Sequence, residues 1–210
     1  MANFVLEKSI EQYMNSVLPP RDAILAEMEQ RARRERIPII GPAVGRLLAQ
    51  LVEMTGARRI FEMGSAIGYS TIWLARAAGP RAEVHYTDGD PALARDAEAY
   101  FRRAGLAARI HVHVGDAVKL LGETKGSFDL IFNDVEKHQY PAAFRRALPR
   151  LPSGGLLVTD NVLWSGRVAG RASDAETRGV QEFNRLSYAS RKLFSVIVPL
   201  RDGVMVSRRR

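Results

Sequence analysis

The feature that most constrains the fold is an alternation of short apolar runs with longer amphipathic segments, which begins at Arg59. Apolar runs of about five residues are typical of buried strands, and the segments between them have helical periodicity. The pattern predicts strands at Arg59–Met63, Glu83–Thr87, Arg109–Val114, Phe128–Asn133 and Gly155–Thr159, helices at Ser70–Ala78, Pro91–Ala104, Asp116–Leu121 and Gln139–Arg150, and a closing antiparallel pair at Leu193–Pro199 and Gly203–Ser207. This order predicts an α/β, doubly wound, seven-stranded and mostly parallel sheet with a final antiparallel strand.

The segment before this alternation has helical signals. Asp22 is placed to cap a helix that runs to about Arg36, and Gly41-Pro42 to open another through Leu51. We therefore expect one domain over residues 1–210, with an N-terminal helical part at 1–56 and the α/β core at 57–210. Residues 1–10 lack the continuous apolar stretch of a signal peptide, and no segment has the length of a membrane span. The expectation is a cytoplasmic protein with no membrane partner.

A glycine-rich turn, FEMGSAIGYS, ends the first predicted strand. Gly64 and Gly68 allow the backbone to pass close to a ligand, and Ser70 is placed to cap the next helix. The spacing G-x-x-x-G differs from the G-x-G-x-x-G that holds a pyrophosphate in dinucleotide sites. S-adenosylmethionine (SAM) has no phosphate, and its sulfonium and amino groups are cationic. A carboxylate at Glu62 therefore favours SAM over a dinucleotide.

The next two strands also end in residues that suit a nucleoside. Asp88 ends the second strand, where a carboxylate can accept hydrogen bonds from both ribose hydroxyls. Asp116 and Ala117 follow the third strand and are expected at the edge of the adenine. Glycines after strands are often simple turns, and acids there often cap helices. Three such features at successive strand ends nevertheless favour a cofactor site.

Hard oxygen donors follow the fourth and fifth strands. Asp134 follows the fourth strand, and Asp160-Asn161 follows the fifth, so their oxygens are expected to meet at one edge of the sheet. The chain has no cysteine, and such a set suits Mg²⁺ or a similar divalent cation, without which the two carboxylates would repel each other. Either aspartate could instead cap a helix or loop. Lys137 in the same turn could take the proton of an acceptor hydroxyl or simply offset negative charge.

These motifs resemble those of the metal-dependent O-methyltransferases that include catechol and caffeoyl-coenzyme A O-methyltransferases, a class I SAM-dependent family with a Rossmann-like fold. The resemblance runs from Ile37 to the end and rests on FEMGSAIGYS, DLIFNDVEKHQY, GGLLVTDNVLWSG and PLRDGVMVS. The resemblance implies a homodimer. It also implies that SAM is bound by Glu62, Gly64, Ser65, Gly68, Ser70, Asp88, Asp116, Ala117 and Asp134, that the metal is held by Asp134, Asp160 and Asn161, and that Lys137 and Asp134 are catalytic.

Within this family the chain looks more like the bacterial branch that methylates 5-hydroxyuridine in tRNA, on RIPII, GSAIGYS and TDNVLWSGRVAG. It departs from that branch at Val135, where the branch has alanine, and at Arg201, where the branch has glycine. We expect Arg201 to line the acceptor pocket differently. The resemblance implies SAM- and metal-dependent O-methylation of vicinal oxygens, with tRNA 5-hydroxyuridine slightly ahead of a small catechol-like molecule. A non-catalytic, methyltransferase-like RNA-binding module is the remaining alternative.

The charge of the chain suits an RNA partner but does not require one. There are 31 basic and 23 acidic residues, a net charge of +8, and arginines cluster at Arg31, Arg33, Arg34, Arg36 and Arg208–Arg210. Phosphate binding needs such cations. A solvated helix face, a frayed tail and an arginine-rich genome composition produce the same pattern. Trp164 could stack on a flat acceptor, whether base or catechol, or pack a loop.

Overall fold

The computed structural model describes residues 7–210, apart from the side chain of Lys8. Residues 1–6, part of the segment inspected for a signal peptide, lie outside the described residues. The strands are β1 (Arg59–Met63), β2 (Glu83–Asp88), β3 (Ile110–Val114), β4 (Leu130–Asn133), β5 (Leu156–Thr159), β6 (Leu193–Val198) and β7 (Val204–Arg209). The α-helices are α1 (Lys8–Ser16), α2 (Ala23–Glu35), α3 (Gly41–Thr55), α4 (Tyr69–Ala78), α5 (Pro91–Arg103), α6 (Ala117–Glu123), α7 (Tyr140–Ala147) and α8 (Ala175–Ala189).

All seven strands belong to one sheet, in the order β3-β2-β1-β4-β5-β7-β6. β1 to β5 pair in parallel, whereas β7 pairs antiparallel with both β5 and β6. This confirms the predicted, mostly parallel sheet with one reversed strand. The chain moves outward from β1 in one direction through β2 and β3, then returns to the other side of β1 for β4. Ligands of doubly wound sheets bind beyond the carboxyl ends of the strands at this reversal.

The sheet separates two apolar cores, because alternate residues of a strand point to opposite faces. Ile60 of β1 packs on one face with residues of α2–α5, including Val44 and Ile72. Phe61 packs on the other face with residues of α6–α8, including Tyr140 and Phe183. Burial on both faces fixes the register of β1 and therefore the direction in which the residues after Met63 emerge.

Local signals set most helix boundaries as predicted. The Asp22 carboxylate accepts hydrogen bonds from the backbone N–H groups of Ile24 and Leu25 at the start of α2, which ends at Arg36 in a left-handed conformation. The prediction for Ser70 was wrong: α4 begins at Tyr69 after Gly68, and Ser70 lies inside the first turn without capping it. Gly68 adopts φ of 81°, so the turn itself provides the entry to the helix.

Other differences come from tertiary contacts. The patterns did not predict α1 or α8. α8 is mostly polar and contains Gly179, yet Val180 and Phe183 are completely buried in the second core. β7 continues through Arg209, so the basic C-terminus is paired with β5 and β6 and is not frayed as far as that residue. Among residues 7–210, no helix is long and apolar enough to cross a bilayer.

Candidate active site

A cavity of about 500 Å³ lies above the carboxyl ends of β1–β5. The segment Pro38–Ile40, which leads into α3, covers one side of this cavity. The predicted cofactor and metal residues that line it are Gly64, Ser65, Ser70, Asp88, Asp116, Ala117, Asp134 and Asn161. Lys137 lines it as well. Residues that follow five separate strands, together with the segment before α3, therefore line one cavity.

The turn after β1 brings backbone close to backbone at the floor of the cavity. A Cβ on Gly64 would lie 2.6 Å from the carbonyl oxygen of Asp134, and Gly64 has φ of 82°. Both the space and the conformation therefore require glycine. At Gly68, a Cβ would lie 2.5 Å from the Phe101 ring, so this glycine allows α5 to pack against the turn. Gly68 does not line the cavity, and its contact with the cofactor stays a prediction.

Glu62 lies beneath this turn and is completely buried. Thr71 donates a hydrogen bond to one carboxylate oxygen, and the other oxygen, Oε1, has no partner in the described part of the chain. Burial raises the pKa of Glu62 to about 7, and the nearby hydroxyl groups of Ser70 and Thr71 only partly oppose this shift. The carboxylate is thus placed to favour a cation above it, although it does not line the cavity directly.

The two acids at the ends of β2 and β3 are already oriented by backbone hydrogen bonds. Asp88 accepts one from Ala66 N at 2.8 Å and one from Asp90 N at 2.9 Å. Asp116 accepts one from Lys119 N at 2.7 Å and so also caps α6. Carboxylate oxygens have several acceptor positions, so both side chains keep capacity for ligand hydroxyl or amino groups in the cavity.

Asp134 and Asp160 lie side by side, because β4 and β5 pair in register with Asn133 beside Thr159. Asp160 is 1% exposed, and its Oδ1 has no hydrogen-bond partner among residues 7–210. Burial, together with the charge of Asp134, raises the pKa of Asp160 to about 7. Burial also raises the pKa of Asp134, while the charge of Lys137 lowers it. Asp134, which is partly exposed, is paired with Lys137, whereas no hydrogen bond to Asp160 Oδ1 is found among the described residues.

Asn161 follows in a left-handed conformation, with φ of 55°. Such a conformation is unfavourable for a residue with a side chain, although asparagine tolerates it better than most, and it often marks functional sites. Within the described residues there is no group of three or more histidines, aspartates or glutamates that could hold a metal. The predicted ligand set has two carboxylates and one amide oxygen, so an ion there would need further oxygen ligands from substrate or water.

Lys137 provides the nearest positive charge. Its Nζ donates to Asp134 Oδ1 at 2.9 Å, and the lysine side chain is only 12% exposed. The ammonium also lies 5.4 Å from the centre of the Tyr140 ring and 5.7 Å from that of Trp164. Two aromatic faces and one carboxylate therefore hold Lys137 at the cavity wall, within reach of a ligand beside Asp134.

The sequence and the fold of the chain match those of known proteins. The family described as O-methyltransferase matches residues 16–210. The chain belongs to the O-methyltransferase family. A catechol O-methyltransferase from Niastella koreensis is 31% identical over 207 residues, covering 95% of this chain and 93% of that protein.

Two solved O-methyltransferases show the same fold. One from Bacillus cereus, in complex with S-adenosylhomocysteine (SAH), has a TM-score of 0.88 and 30% identity, covering 96% of this chain and 97% of its own. TomG from Streptomyces achromogenes, involved in tomaymycin synthesis and solved with SAM, has a TM-score of 0.86 and 30% identity, covering 96% of each chain. Together with the family match, they confirm the predicted SAM-dependent O-methyltransferase and its Rossmann-like fold.

Some residues that shape the site of this O-methyltransferase were not singled out in the sequence. The Tyr140 hydroxyl donates to the carbonyl oxygen of Asp160 at 2.7 Å and fixes the backbone between β5 and Asn161. Gly179 of α8 packs directly against the carbonyl oxygen of Lys137, where a Cβ would overlap it. Tyr140 lies within DLIFNDVEKHQY, so its position could have been inferred. Gly179 carries no local signal, because the contact joins two distant parts of the chain.

Proposed function

We propose that the protein transfers a methyl group from SAM to one of two neighbouring oxygens of an acceptor, with the help of a divalent cation. SAM supplies a methyl group on a positively charged sulfur. The observation that carries the proposal is the neighbouring carboxyl groups of Asp134 and Asp160: Asp134 lines the cavity, and Asp160 is buried beside it with Oδ1 unpartnered among the described residues. A SAM-dependent methyltransferase needs no such pair to bind its cofactor, so the pair has another purpose.

We assign each part of SAM to the residues that follow a different strand. We assign the ribose hydroxyls to Asp88 and the adenine edge to Asp116 and Ala117, on the basis of their positions after β2 and β3. Gly64 and Ser65 allow the methionine part to approach the backbone. The buried carboxylate of Glu62 favours the cationic groups of SAM electrostatically.

The acceptor half of the site has a donor set that fits a divalent cation. Asp134, Asp160 and Asn161 would hold it, since hard oxygen ligands suit Mg²⁺ and Asp160 Oδ1 has no hydrogen-bond partner among the described residues. When bound, such a cation would polarise the acceptor oxygens and favour loss of a hydroxyl proton. Lys137, held at 2.9 Å from Asp134, would receive that proton only after losing its own; as an ammonium it would instead stabilise the acceptor oxyanion by its charge.

The acceptor we propose first is a small molecule of catechol type. The cavity is closed on one side by Pro38–Ile40, which favours a small acceptor. Trp164 is not among its lining residues, and the Trp164 ring is contacted by Lys137 and Arg167. Catechol methylation is also the activity named for the Niastella koreensis relative. These observations reverse the order that the sequence motifs alone suggested.

5-Hydroxyuridine in tRNA is the second candidate, because its hydroxyl and ring carbonyl present the same pair of oxygens. The exposed Arg33, which lines a cavity adjoining the site, and the exposed Arg36 favour it. Arg31 is less available for phosphate, since it pairs with Glu35 at 2.8 Å and with Asp96 at 2.5 Å. The basic surface therefore supports RNA binding with fewer arginines than the sequence suggests.

The deciding experiment is methyl transfer from radiolabelled SAM, offered with a panel of catechols and, separately, with tRNA from cells that make the hydroxyuridine but lack this enzyme. Each reaction is run with Mg²⁺ and with excess chelator. We expect chelator-sensitive label in catechols. Label only in tRNA would move the assignment to the second candidate, and full transfer in chelator would exclude the cation from the mechanism.

We also propose a homodimer. β6 is an edge strand, and it exposes Phe194 by 65% and Val196 by 48%. Open edges with apolar side chains tend to pair with another chain. Light scattering coupled to size exclusion should give twice the mass of the 23.3 kDa chain, and Phe194→Glu should lower it. A monomeric wild type at micromolar concentration would refute this proposal.

A further inference from the structure

Arg201 occupies a turn in which a glycine would be expected. It lies between β6 and β7 with φ of 52°, a left-handed conformation that is unfavourable for a residue with a side chain. Two residues later, Gly203 has φ of 81°, and a Cβ there would lie 2.5 Å from Leu163. The turn is therefore tightly packed, and it contains a large charged residue against the local backbone preference. Such positions are often functional.

The turn that carries Arg201 is attached to the proposed metal site. Leu163 N donates to the carbonyl oxygen of Asp202 at 2.9 Å, and Val162 N donates to that of Gly203 at 3.0 Å. Ser165 N donates to the Asp202 carboxylate. These bonds join the turn to the residues directly after Asn161. Arg201 consequently has a fixed origin beside the acceptor half of the cavity.

The guanidinium group extends from this turn to the segment that closes the cavity. Its Nη1 donates to the carbonyl oxygen of Ile39 at 3.2 Å and to that of Ile40. In the described part of the chain, Nε and Nη2 of Arg201 make no hydrogen bond, and the residue is exposed. The group therefore keeps donors that could bind an anion, and its fork geometry matches a carboxylate.

A second cavity of about 360 Å³ adjoins the first and shares Pro38 and Ile39 with it. Both Arg201 and Arg33 line this second cavity, together with the acidic Glu11 and Glu29. Glu29 is already neutralised by Arg21, which donates to both of its carboxylate oxygens at 2.8 and 2.9 Å. The remaining charges are two arginines against one glutamate, so this cavity is positive on balance.

We propose that Arg201 is a specificity-determining residue that binds a carboxylate carried by the acceptor. This inference rests on the proposed function, because it assumes that the reacting oxygens of the same molecule lie near Asp134 and Asp160. The acceptor would extend past Pro38–Ile40, with its neighbouring oxygens on the side of the acidic pair and its carboxylate on the side of the guanidinium. Opposite charges at the two ends of the site would orient the molecule.

The test compares 3,4-dihydroxybenzoate with 3,4-dihydroxybenzamide, which has nearly the same size and no charge. Both are assayed with wild type, Arg201→Gln, Arg201→Lys and the control Arg191→Gln, at saturating SAM and Mg²⁺. Arg191 precedes β6, whereas Arg201 follows it, so Arg191 is an exposed arginine at the other end of the same strand. We expect Arg201→Gln to lower the ratio of kcat/KM for the acid to that for the amide at least tenfold, through KM. Arg201→Lys should retain part of the preference, and Arg191→Gln should match wild type.

A purely structural role for Arg201, in holding the Pro38–Ile40 segment, would change both acceptors equally and leave the ratio unaltered, which would overturn the proposal. A separate calorimetric titration of the acid and the amide into the SAH and Mg²⁺ complex tests Arg201 without turnover. If wild type methylates neither compound, the proposed acceptor class is wrong. In that case the binding data still test the proposed role of Arg201. Binding of the acid at least tenfold tighter than that of the amide, with the difference lost in Arg201→Gln, would support this role. Equal binding of the two compounds would refute it.

Discussion

The carboxyl ends of the parallel strands form two halves of the site: a cofactor half after β1, β2 and β3, and an acceptor half after β4 and β5. The two halves differ in how many hydrogen bonds the chain itself makes to their polar side chains. On the cofactor half, Asp88 and Asp116 accept backbone hydrogen bonds of 2.7 to 2.9 Å, which orient them. On the acceptor half, Asp160 is buried beside Asp134 with one oxygen unpartnered among the described residues, and Asn161 adopts a left-handed backbone. The first half is preorganised for a ligand, whereas the second holds a buried carboxyl group whose hydrogen bonding is incomplete among the described residues.

The difference indicates how the two ligands are recognised. A nucleoside is bound through hydrogen bonds and shape, so its half can be complete before it arrives. A divalent cation is bound through charge, so its ligands are held close together although they repel each other in its absence. Glu62 is the exception on the cofactor half, since it is also buried and partly unpartnered. Its expected ligand group is likewise a cation.

The largest expected effect comes from removing one side of the acidic pair. Asp160→Ala should lower methyl transfer at least a thousandfold, because the cation would lose a ligand and the acceptor its activation. SAH affinity should change less than about threefold, since Asp160 does not line the cofactor cavity. Radiolabel transfer and calorimetry with SAH and with Mg²⁺ measure the two effects. Substantial activity in this variant would mean that the two halves are not divided as described.

Gly64 packs against the backbone of Asp134, so it links the cofactor half to the acceptor half, and its substitution should destabilise the protein. Gly64→Ala places a Cβ against the Asp134 carbonyl and requires φ near 82° for alanine. We expect the free energy of unfolding to fall by about 2–4 kcal/mol, measured by urea denaturation. Gly89→Ala is the matched control, because a Cβ there meets nothing within 4 Å; it should change stability by less than about 0.5 kcal/mol. Equal stabilities for the two variants would contradict the close approach at Gly64.

Asp88→Ala should weaken cofactor binding and leave Mg²⁺ binding nearly unchanged, whereas Asp160→Ala should leave cofactor binding nearly unchanged. Loss of the proposed bonds to the ribose hydroxyls should weaken SAH binding about 10- to 100-fold, because hydrogen bonds to charged groups contribute about 1.5–3 kcal/mol. Mg²⁺ affinity should remain within about twofold of wild type. Calorimetry of both ligands gives the comparison directly. A weakening of Mg²⁺ binding equal to that of SAH would show that the halves are coupled and not independent.

Glu62 should give the smallest effect, visible as a dependence of stability on pH. Its folded pKa of about 7 exceeds its ordinary value of 4.5, so its contribution to stability is present below pH 4.5 and is lost as pH rises through 7. Between pH 5 and 7 the ligand-free protein should lose about 1–2 kcal/mol from this group. Glu62→Gln should flatten that slope in urea unfolding, while Glu98→Gln, on an exposed side chain, should not. SAM should restore stability of wild type near pH 8, since its cation favours the carboxylate.

The sequence by itself determined the fold class, the order of the strands along the chain and the residues at their carboxyl ends. These features depend on local periods and turn residues, which are readable within about ten residues. The rule that parallel strand ends share one edge then brought Asp88, Asp116, Asp134 and Asp160 together without coordinates. The cofactor class followed from the spacing of Gly64 and Gly68 and from Glu62.

Only the tertiary structure decided how these residues are held and charged. Burial of Asp160 beside Asp134, the packing of Gly179 against Lys137 and the closure of the cavity by Pro38–Ile40 depend on contacts between distant segments. Arg201 reaches Ile40 across 161 residues of sequence. Helix α8, which Asp174 caps, is placed by the burial of Phe183 in the second core, a contact that joins distant parts of the chain. Local patterns specify which groups reach the edge of the sheet, whereas their electrostatic state depends on what packs around them.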